Sequence, residues 1–94
     1  MSLEEIRQEI SRLDTEIINL IAQRQKLAAK IARIKIAGGL PIHDGERASG
    51  VLDSVYNQAA EHRIDPVSVR KIFEILIVMS EERQRECSGD GNLP

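Results

Sequence analysis

The sequence has almost no large aromatic side chains. It contains one tyrosine, Tyr56, one phenylalanine, Phe73, and no tryptophan among 94 residues. The hydrophobic fraction of 41% is therefore almost entirely aliphatic, and a core built from many thin aliphatic contacts favours the packing of helix on helix. Without aromatic faces for stacking, and with a formal net charge of −2, the chain does not resemble a nucleic-acid-binding protein.

Several other features of functional sites are missing. A single cysteine, Cys87, excludes an internal disulfide and a metal site built from several thiolates. The chain lacks an apolar run of about 18 residues and a signal-peptide pattern, so we expect a cytoplasmic protein without a membrane partner. Metal-ligand spacings, glycine-rich phosphate loops and Ser/His/Asp or Cys/His sets are absent too. We therefore expect no metal and no other cofactor, and any catalysis would depend on binding and electrostatics.

The first predicted helix is long for so short a chain. Ser2 and Glu5 form a capping-box pattern, after which an apolar rhythm of three and four residues continues to Gly38 and Gly39. A helix over about residues 3 to 37 would be about 50 Å long, whereas a compact chain of this length has a radius of gyration of only about 12 Å. Much of its apolar stripe would face water, so we expect a homodimer or a higher oligomer to cover it.

Two further helices are predicted after the loop. Asp44 can cap a short second helix, and Asp65 followed by Pro66 can start a third of medium length. No strand pattern competes with this interpretation. The sequence thus predicts an all-α fold with one long, one short and one medium helix per chain, in a single domain over residues 1–87, followed by a flexible tail at residues 88–94.

Two cations interrupt the apolar stripe of the first helix. Apolar residues recur from Leu3 to Ile34 at spacings of three and four, and Arg24 takes the place of one of them. Lys35 lies further along, within about 20° of the same face and about 16 Å away. Both side chains can point into a cavity covered by other helices. Alternatively, Arg24 can reach out to solvent or pair with a carboxylate, and Lys35 can simply complement the helix dipole.

Polar side chains also lie on or near the apolar faces of the second and third predicted helices. Ser80 and Gln84 continue the apolar line of the third helix, either as part of a pocket or because the stripe fades there. Arg47, in the first turn of the second helix, opposes the helix dipole and needs an anionic partner. Arg7 lies about 25 Å from Arg24, so it can join the other cations only if a second chain crosses the first. Such a pocket suits a small polyanion, above all a carboxylate.

Together these residues resemble the pattern of the all-helical, AroQ-type chorismate mutases. The likeness runs from about residue 4 to residue 86 and includes IRQEISRLDTEIINLIAQR, Lys35, LPIHDGER and the pair Ser80 and Gln84. The resemblance implies an intertwined homodimer of three-helix chains with equivalent active sites. It also implies the rearrangement of chorismate, a dicarboxylate, to prephenate in phenylalanine and tyrosine biosynthesis, a unimolecular step without nucleophile, metal or cofactor.

The resemblance also implies a role for each polar side chain. Arg24 and the Arg7 of a second chain would hold the carboxylates of the substrate, and Lys35 would contact a carboxylate and the ether oxygen. Gln84 would donate the second hydrogen bond to that oxygen, where negative charge develops as the C–O bond breaks. Catalysis would then come from a held reactive conformer and from donors aimed at the developing charge. The remaining side chains would assist at a carboxylate or line the site: Ser80, Asp44 and Arg47.

One residue departs from the pattern of the family. After the arginine at the start of the second helix, the family usually carries a glutamate that contacts the ring hydroxyl of the substrate, whereas this chain has Ala48. Glu46 points about 200° away around the helix and is a poor substitute. Isochorismate pyruvate lyases of the same fold also lack that glutamate and offer an alternative function. A non-enzymatic dimerisation module, with Arg24 fixing its register, is another alternative, but the other retained site residues favour the mutase.

Overall fold

The structure is a computed structural model that describes residues 1–88 and consists of three α-helices. They are α1 (Leu3–Gly38), α2 (Gly45–Glu61) and α3 (Pro66–Cys87), and no strand occurs within these residues. The predicted all-α fold with a long, a short and a medium helix is therefore confirmed. The predicted flexible tail, apart from Ser88, lies outside the described residues.

The first helix is closed at both ends by local hydrogen bonds. The Ser2 hydroxyl accepts from the Glu5 amide at 3.1 Å, and the Glu5 carboxylate accepts from the Ser2 amide at 3.1 Å, which completes the capping box. At the other end, Gly39 adopts a φ of 64°, a left-handed conformation that glycine takes without strain. The helix therefore begins and ends where the capping signals in the sequence place it.

The second and third helices both begin at an aspartate. Asp44 Oδ1 accepts from the backbone amide of Arg47 at 3.0 Å, and Asp65 Oδ1 accepts from that of Val67 at 3.2 Å. In the turn between the helices, Arg63 has a φ of 59°, a left-handed conformation that costs a non-glycine residue about 1 kcal/mol. The turn thus contains one residue in a strained conformation, Arg63, and ends at the Asp65 cap of α3.

The third helix is the central element of the packing. It packs against both α1 and α2, whereas α1 and α2 do not contact each other within residues 1–88. The buried hydrophobic residues of the described chain are all alanines, namely Ala28, Ala32 and Ala59, at 1–2% exposure. Ile72 on α3 is 55% exposed, so the packing within residues 1–88 leaves much of this large apolar side chain uncovered. Residues 1–88 of one chain therefore form no fully buried core of large side chains.

The amino-terminal half of α1 extends beyond the other helices. Every residue from 3 to 20 is exposed, including Ile6, Ile10, Leu13 and Ile17 of the apolar stripe, at 42–53%. The chain measures 54 × 28 × 19 Å with a radius of gyration of 16.6 Å, well above the value of about 12 Å for a compact chain of this length. The predicted mismatch between the long helix and the rest of the chain is confirmed. No helix within residues 1–88 is long and apolar enough to cross a membrane.

Candidate functional site

A cleft of about 380 Å³ remains between the helices, since α1 and α2 pack on α3 but not on each other. Its walls combine aliphatic side chains such as Leu27, Ile31 and Ile77 with a set of polar groups. A few convergent polar groups in a largely apolar cleft are typical of a small-molecule site. Six of the seven predicted site residues line it: Arg24, Lys35, Asp44, Arg47, Ser80 and Gln84.

Lys35 connects three parts of the chain at one side of the cleft. Its Nζ donates to Oε1 of Gln84 at 2.8 Å and to the backbone carbonyl of Ile42 in the loop before α2. An ammonium group has three N–H donors, so one donor of Lys35 is left for a ligand. The side chain therefore does more than complement the dipole of α1, because it ties that helix to α3 and to the loop.

Gln84 is the one polar residue that is buried within residues 1–88, at 5% exposure. Its Nε2 donates to the Ser80 hydroxyl, one turn earlier on α3, at 3.1 Å, and its Oε1 accepts from Lys35. An amide nitrogen carries two hydrogens, so one of them remains to be donated into the cleft. The alternative in which the α3 stripe fades towards solvent is wrong for Gln84, because the side chain is buried.

Arg24 is half-buried on α1 and contacts α3. Its guanidinium carbon lies 5.9 Å from the centre of the Phe73 ring, a favourable cation–π arrangement. Its Nη1 donates to the backbone carbonyl of Leu76 at 3.4 Å. No carboxylate within residues 1–88 pairs with Arg24 or Lys35. An ion pair inside the described chain thus does not explain Arg24, and most of its five donors are available to an anion.

The first turn of α2 lines the cleft with a second group of residues. Asp44 uses one carboxylate oxygen to cap the Arg47 amide, and the Arg47 side chain is exposed without an ion pair in the described part of the chain. Ala48 also lines the cleft, where it presents only a methyl group. The position at which the sequence lacks an acid therefore faces the same space as the cations.

One charged residue of the cleft, Glu81, was missed from the sequence. Its side chain is 17% exposed, and Oε1 lies 2.6 Å from Nδ1 of His43. Its other carboxylate oxygen is 4.0 Å from Nη2 of Arg85. The signal was present in the helical spacing, because Glu81 follows Ile77 by one turn and precedes Gln84 by three residues, and all three line the cleft. His43 is itself exposed, although it pairs with Glu81.

Arg7 is the predicted site residue that lies outside the cleft. It belongs to the exposed amino-terminal half of α1 and is about 25 Å along the helix from Arg24. As expected from the sequence, the two arginines do not come together within one chain.

Within residues 1–88, the cleft presents an excess of unpaired positive charge to a ligand. It offers three cations that lack a carboxylate partner in the described chain, Arg24, Lys35 and Arg47, together with uncharged donors on α3. No group of three or more His, Cys, Asp or Glu side chains within residues 1–88 is placed to hold a metal ion. The arrangement therefore favours charge-assisted hydrogen bonds to a small polycarboxylate.

Comparisons with known proteins agree on one family. The family model described as chorismate mutase type II matches residues 6–85. The chain is 39% identical over 84 residues to the chorismate mutase of Methanocaldococcus jannaschii, which covers 89% of this chain and 85% of that protein. This chain is also 31% identical to a bifunctional chorismate mutase/prephenate dehydratase of Enterobacter agglomerans. That alignment of 72 residues covers 77% of this chain but only 19% of the bifunctional protein.

A solved structure also resembles this fold. A conserved hypothetical protein from Pyrococcus furiosus superposes with a TM-score of 0.69 at 34% sequence identity, covering 88% of this chain and 95% of that one. The similarity therefore extends over nearly the whole of both chains.

Proposed function

The chain belongs to the type II chorismate mutase family. We propose that the cleft between its helices is the active site. The protein is a chorismate mutase, an isomerase of aromatic amino-acid biosynthesis that converts chorismate to prephenate. The observation that carries the assignment of the cleft is the hydrogen bond from Lys35 to Gln84. It holds two donors from distant parts of the chain side by side, each with an N–H to spare.

The cations of the cleft bind the carboxylates of the substrate. The guanidinium of Arg24 is held by Phe73 and by the Leu76 carbonyl, so its fork is oriented before a ligand arrives. An oriented fork matches the geometry of a carboxylate and loses little side-chain entropy on binding. Arg47 adds a positive charge at the start of α2. Lys35 adds another where α1 meets the loop before α2. A flexible enolpyruvyl side chain is thereby held over the ring in the compact conformer that reacts.

The donors on Lys35 and Gln84 stabilise the transition state. In the rearrangement a C–O bond breaks as a C–C bond forms within the same molecule, and negative charge develops on the ether oxygen. The spare N–H groups of Lys35 and Gln84 donate to this oxygen, while Ser80 holds the Gln84 amide in place. Fixed donors aimed at a developing charge lower the barrier because they need no reorganisation during the reaction.

The active protein is a homodimer in which each cleft receives Arg7 from the other chain. Two observations support this proposal: the buried hydrophobic residues within residues 1–88 are all alanines, and the α1 stripe is exposed from Ile6 to Ile17. When two α1 helices cross in a two-fold arrangement, the amino-terminal part of one can lie against the middle of the other. A cytoplasmic location, and the absence of nucleic-acid and membrane partners, stay predictions from composition and charge.

Direct assay of the purified protein with chorismate tests the proposed function. We expect chorismate to disappear and prephenate to accumulate without added metal or cofactor. Isochorismate, supplied separately, tests the lyase alternative that Ala48 raised, since a lyase would release pyruvate. Prephenate formation from chorismate that is lost when Lys35 is replaced supports the proposal. A wild-type protein that forms no prephenate would contradict it.

A further inference from the structure

Glu81 is a carboxylate of the cleft that the proposed mechanism leaves without a task. It projects from α3 next to Ser80, lines the cleft and is only 17% exposed. A negative charge at this place repels a dicarboxylate substrate, and it does so more strongly in a partly desolvated cleft than in water. Such a group is compatible with tight binding when it meets a hydrogen-bond donor on the substrate.

The carboxylate of Glu81 is held from outside the cleft. Nδ1 of His43, in the loop before α2, lies 2.6 Å from Oε1, and Nη2 of Arg85 lies 4.0 Å from Oε2. A carboxylate offers about four lone-pair positions in total. These contacts therefore fix the orientation of Glu81 and still leave it able to accept a hydrogen bond from inside the cleft.

The other residues of the cleft are less suited to accept from an alcohol. Asp44 is the second acid, but its side chain belongs to an exposed residue, so water competes for its carboxylate, and its Oδ1 already caps the Arg47 amide. Ala48 ends in a methyl group. Gln84 has its carbonyl oxygen occupied by Lys35. Chorismate carries, besides its carboxylates and ether oxygen, one free ring hydroxyl, which is a donor that a carboxylate accepts strongly.

We infer that Glu81 accepts a hydrogen bond from the ring hydroxyl of the substrate and that His43 is the positioning residue that holds Glu81 for this contact. The inference rests on the proposed assignment of the cleft as the active site. It makes Glu81 a specificity-determining residue, because a substrate without the hydroxyl would leave the partly buried carboxylate without a donor on the cleft side. An acid on α3 would thus recognise the alcohol in a chain that has no acid at position 48.

The test compares chorismate with its analogue in which hydrogen replaces the ring hydroxyl. For Glu81→Ala we expect kcat/KM for chorismate to fall by about ten- to a hundredfold, the range for a charge-assisted hydrogen bond. For the analogue kcat/KM should not fall, since the contact is missing already. Glu81→Gln keeps an acceptor oxygen and should cause a smaller loss. His43→Ala should cause a partial loss that is again confined to chorismate.

The matched control is Glu82→Ala, which removes an exposed glutamate at the next position of α3 and should leave both substrates unaffected. Thermal unfolding of each variant confirms that it is folded. An equal loss on both substrates would overturn the inference, because Glu81 would then only anchor the loop through His43. No loss on either substrate would overturn it too. If the wild-type protein did not convert chorismate, the proposed function would fail first, and this inference with it.

Discussion

Lys35 on α1 donates a hydrogen bond of 2.8 Å to Gln84 on α3, across 49 positions of the chain. Each residue interrupts an apolar stripe of its own helix, and each interruption can be explained locally. The hydrogen bond joins them into one unit, because the buried amide of Gln84 would otherwise lack a donor for its carbonyl oxygen. The same contact orients the ammonium group, so fold and proposed chemistry depend on the same pair.

Replacement of Lys35 by alanine should lower kcat by about 10²- to 10³-fold, the usual effect of removing one donor from a developing oxyanion. The loss arises because the ether oxygen keeps only the Gln84 donor. Steady-state kinetics with chorismate measure it. The control is Lys30→Ala, at an exposed position of the same helix, which should retain full activity. A comparable loss in both variants would contradict the specific role of Lys35.

Replacement of Arg24 by leucine separates the enzyme from a pure dimerisation module. Leucine restores the interrupted stripe of α1, so the protein should stay folded and be at least as stable as the wild type. Turnover should nevertheless fall by about 10²-fold or more, since the substrate loses a bidentate carboxylate contact. Thermal unfolding, analytical ultracentrifugation and kinetics are measured on the same sample. Higher stability with full activity would show that Arg24 serves only the register of the helices.

Most of the fold could be predicted from the sequence because its signals are local. The capping box at Ser2 and the glycine at position 39 act within one helical turn, and the spacing of three and four residues identifies the helices directly. Arg24 and Lys35 could be placed on one face because they belong to the same rigid helix. These predictions needed no knowledge of how the helices pack.

The Glu81–His43 pair could not be predicted in the same way, because it joins residues 38 positions apart. His43 lies in a loop, and its direction depends on the turn after Gly39 and on the packing of α2 against α3. The burial of Gln84 is a tertiary property too, since a fading stripe and a buried polar group give the same local pattern. A single chain, finally, fixes neither the partner of the α1 stripe nor the place of Arg7.

Two glycine-to-alanine substitutions should change stability in opposite directions. Gly39 has a left-handed φ of 64° and no atom within 4 Å of an added Cβ, so Gly39→Ala meets backbone strain alone and should cost about 1 kcal/mol. Gly50 lies inside α2 with equally open surroundings, and Gly50→Ala should contribute about 0.5–1 kcal/mol by favouring the helix. Denaturant unfolding measures both, and a shift of the same sign would contradict this account.

Acid should weaken the start of α3 through Asp65. Its pKa is lowered by hydrogen bonds from the Ser68 hydroxyl and then from the Val67 amide. A carboxyl group with a lowered folded pKa stabilises the protein above its unfolded value of 3.8, and this contribution disappears as the pH falls through the folded value. The difference in thermal midpoint between wild type and Asp65→Asn should therefore shrink on acidification. Ser68→Ala removes the largest cause of the lowered Asp65 pKa. In that background, the difference in thermal midpoint between Asp65 and Asp65→Asn should change less with pH.

Mixing of inactive variants tests whether Arg7 acts in the cleft of the other chain. In a 1:1 mixture of Arg7→Ala and Lys35→Ala, unfolded and refolded together, each heterodimer has one site with both residues intact, so about a quarter of all sites should regain activity. The matched control pairs Arg24→Ala with Lys35→Ala. Both of these residues line the cleft of one chain, so no mixed site is intact and activity should stay absent. Recovery in both mixtures, or in neither, would contradict the shared site.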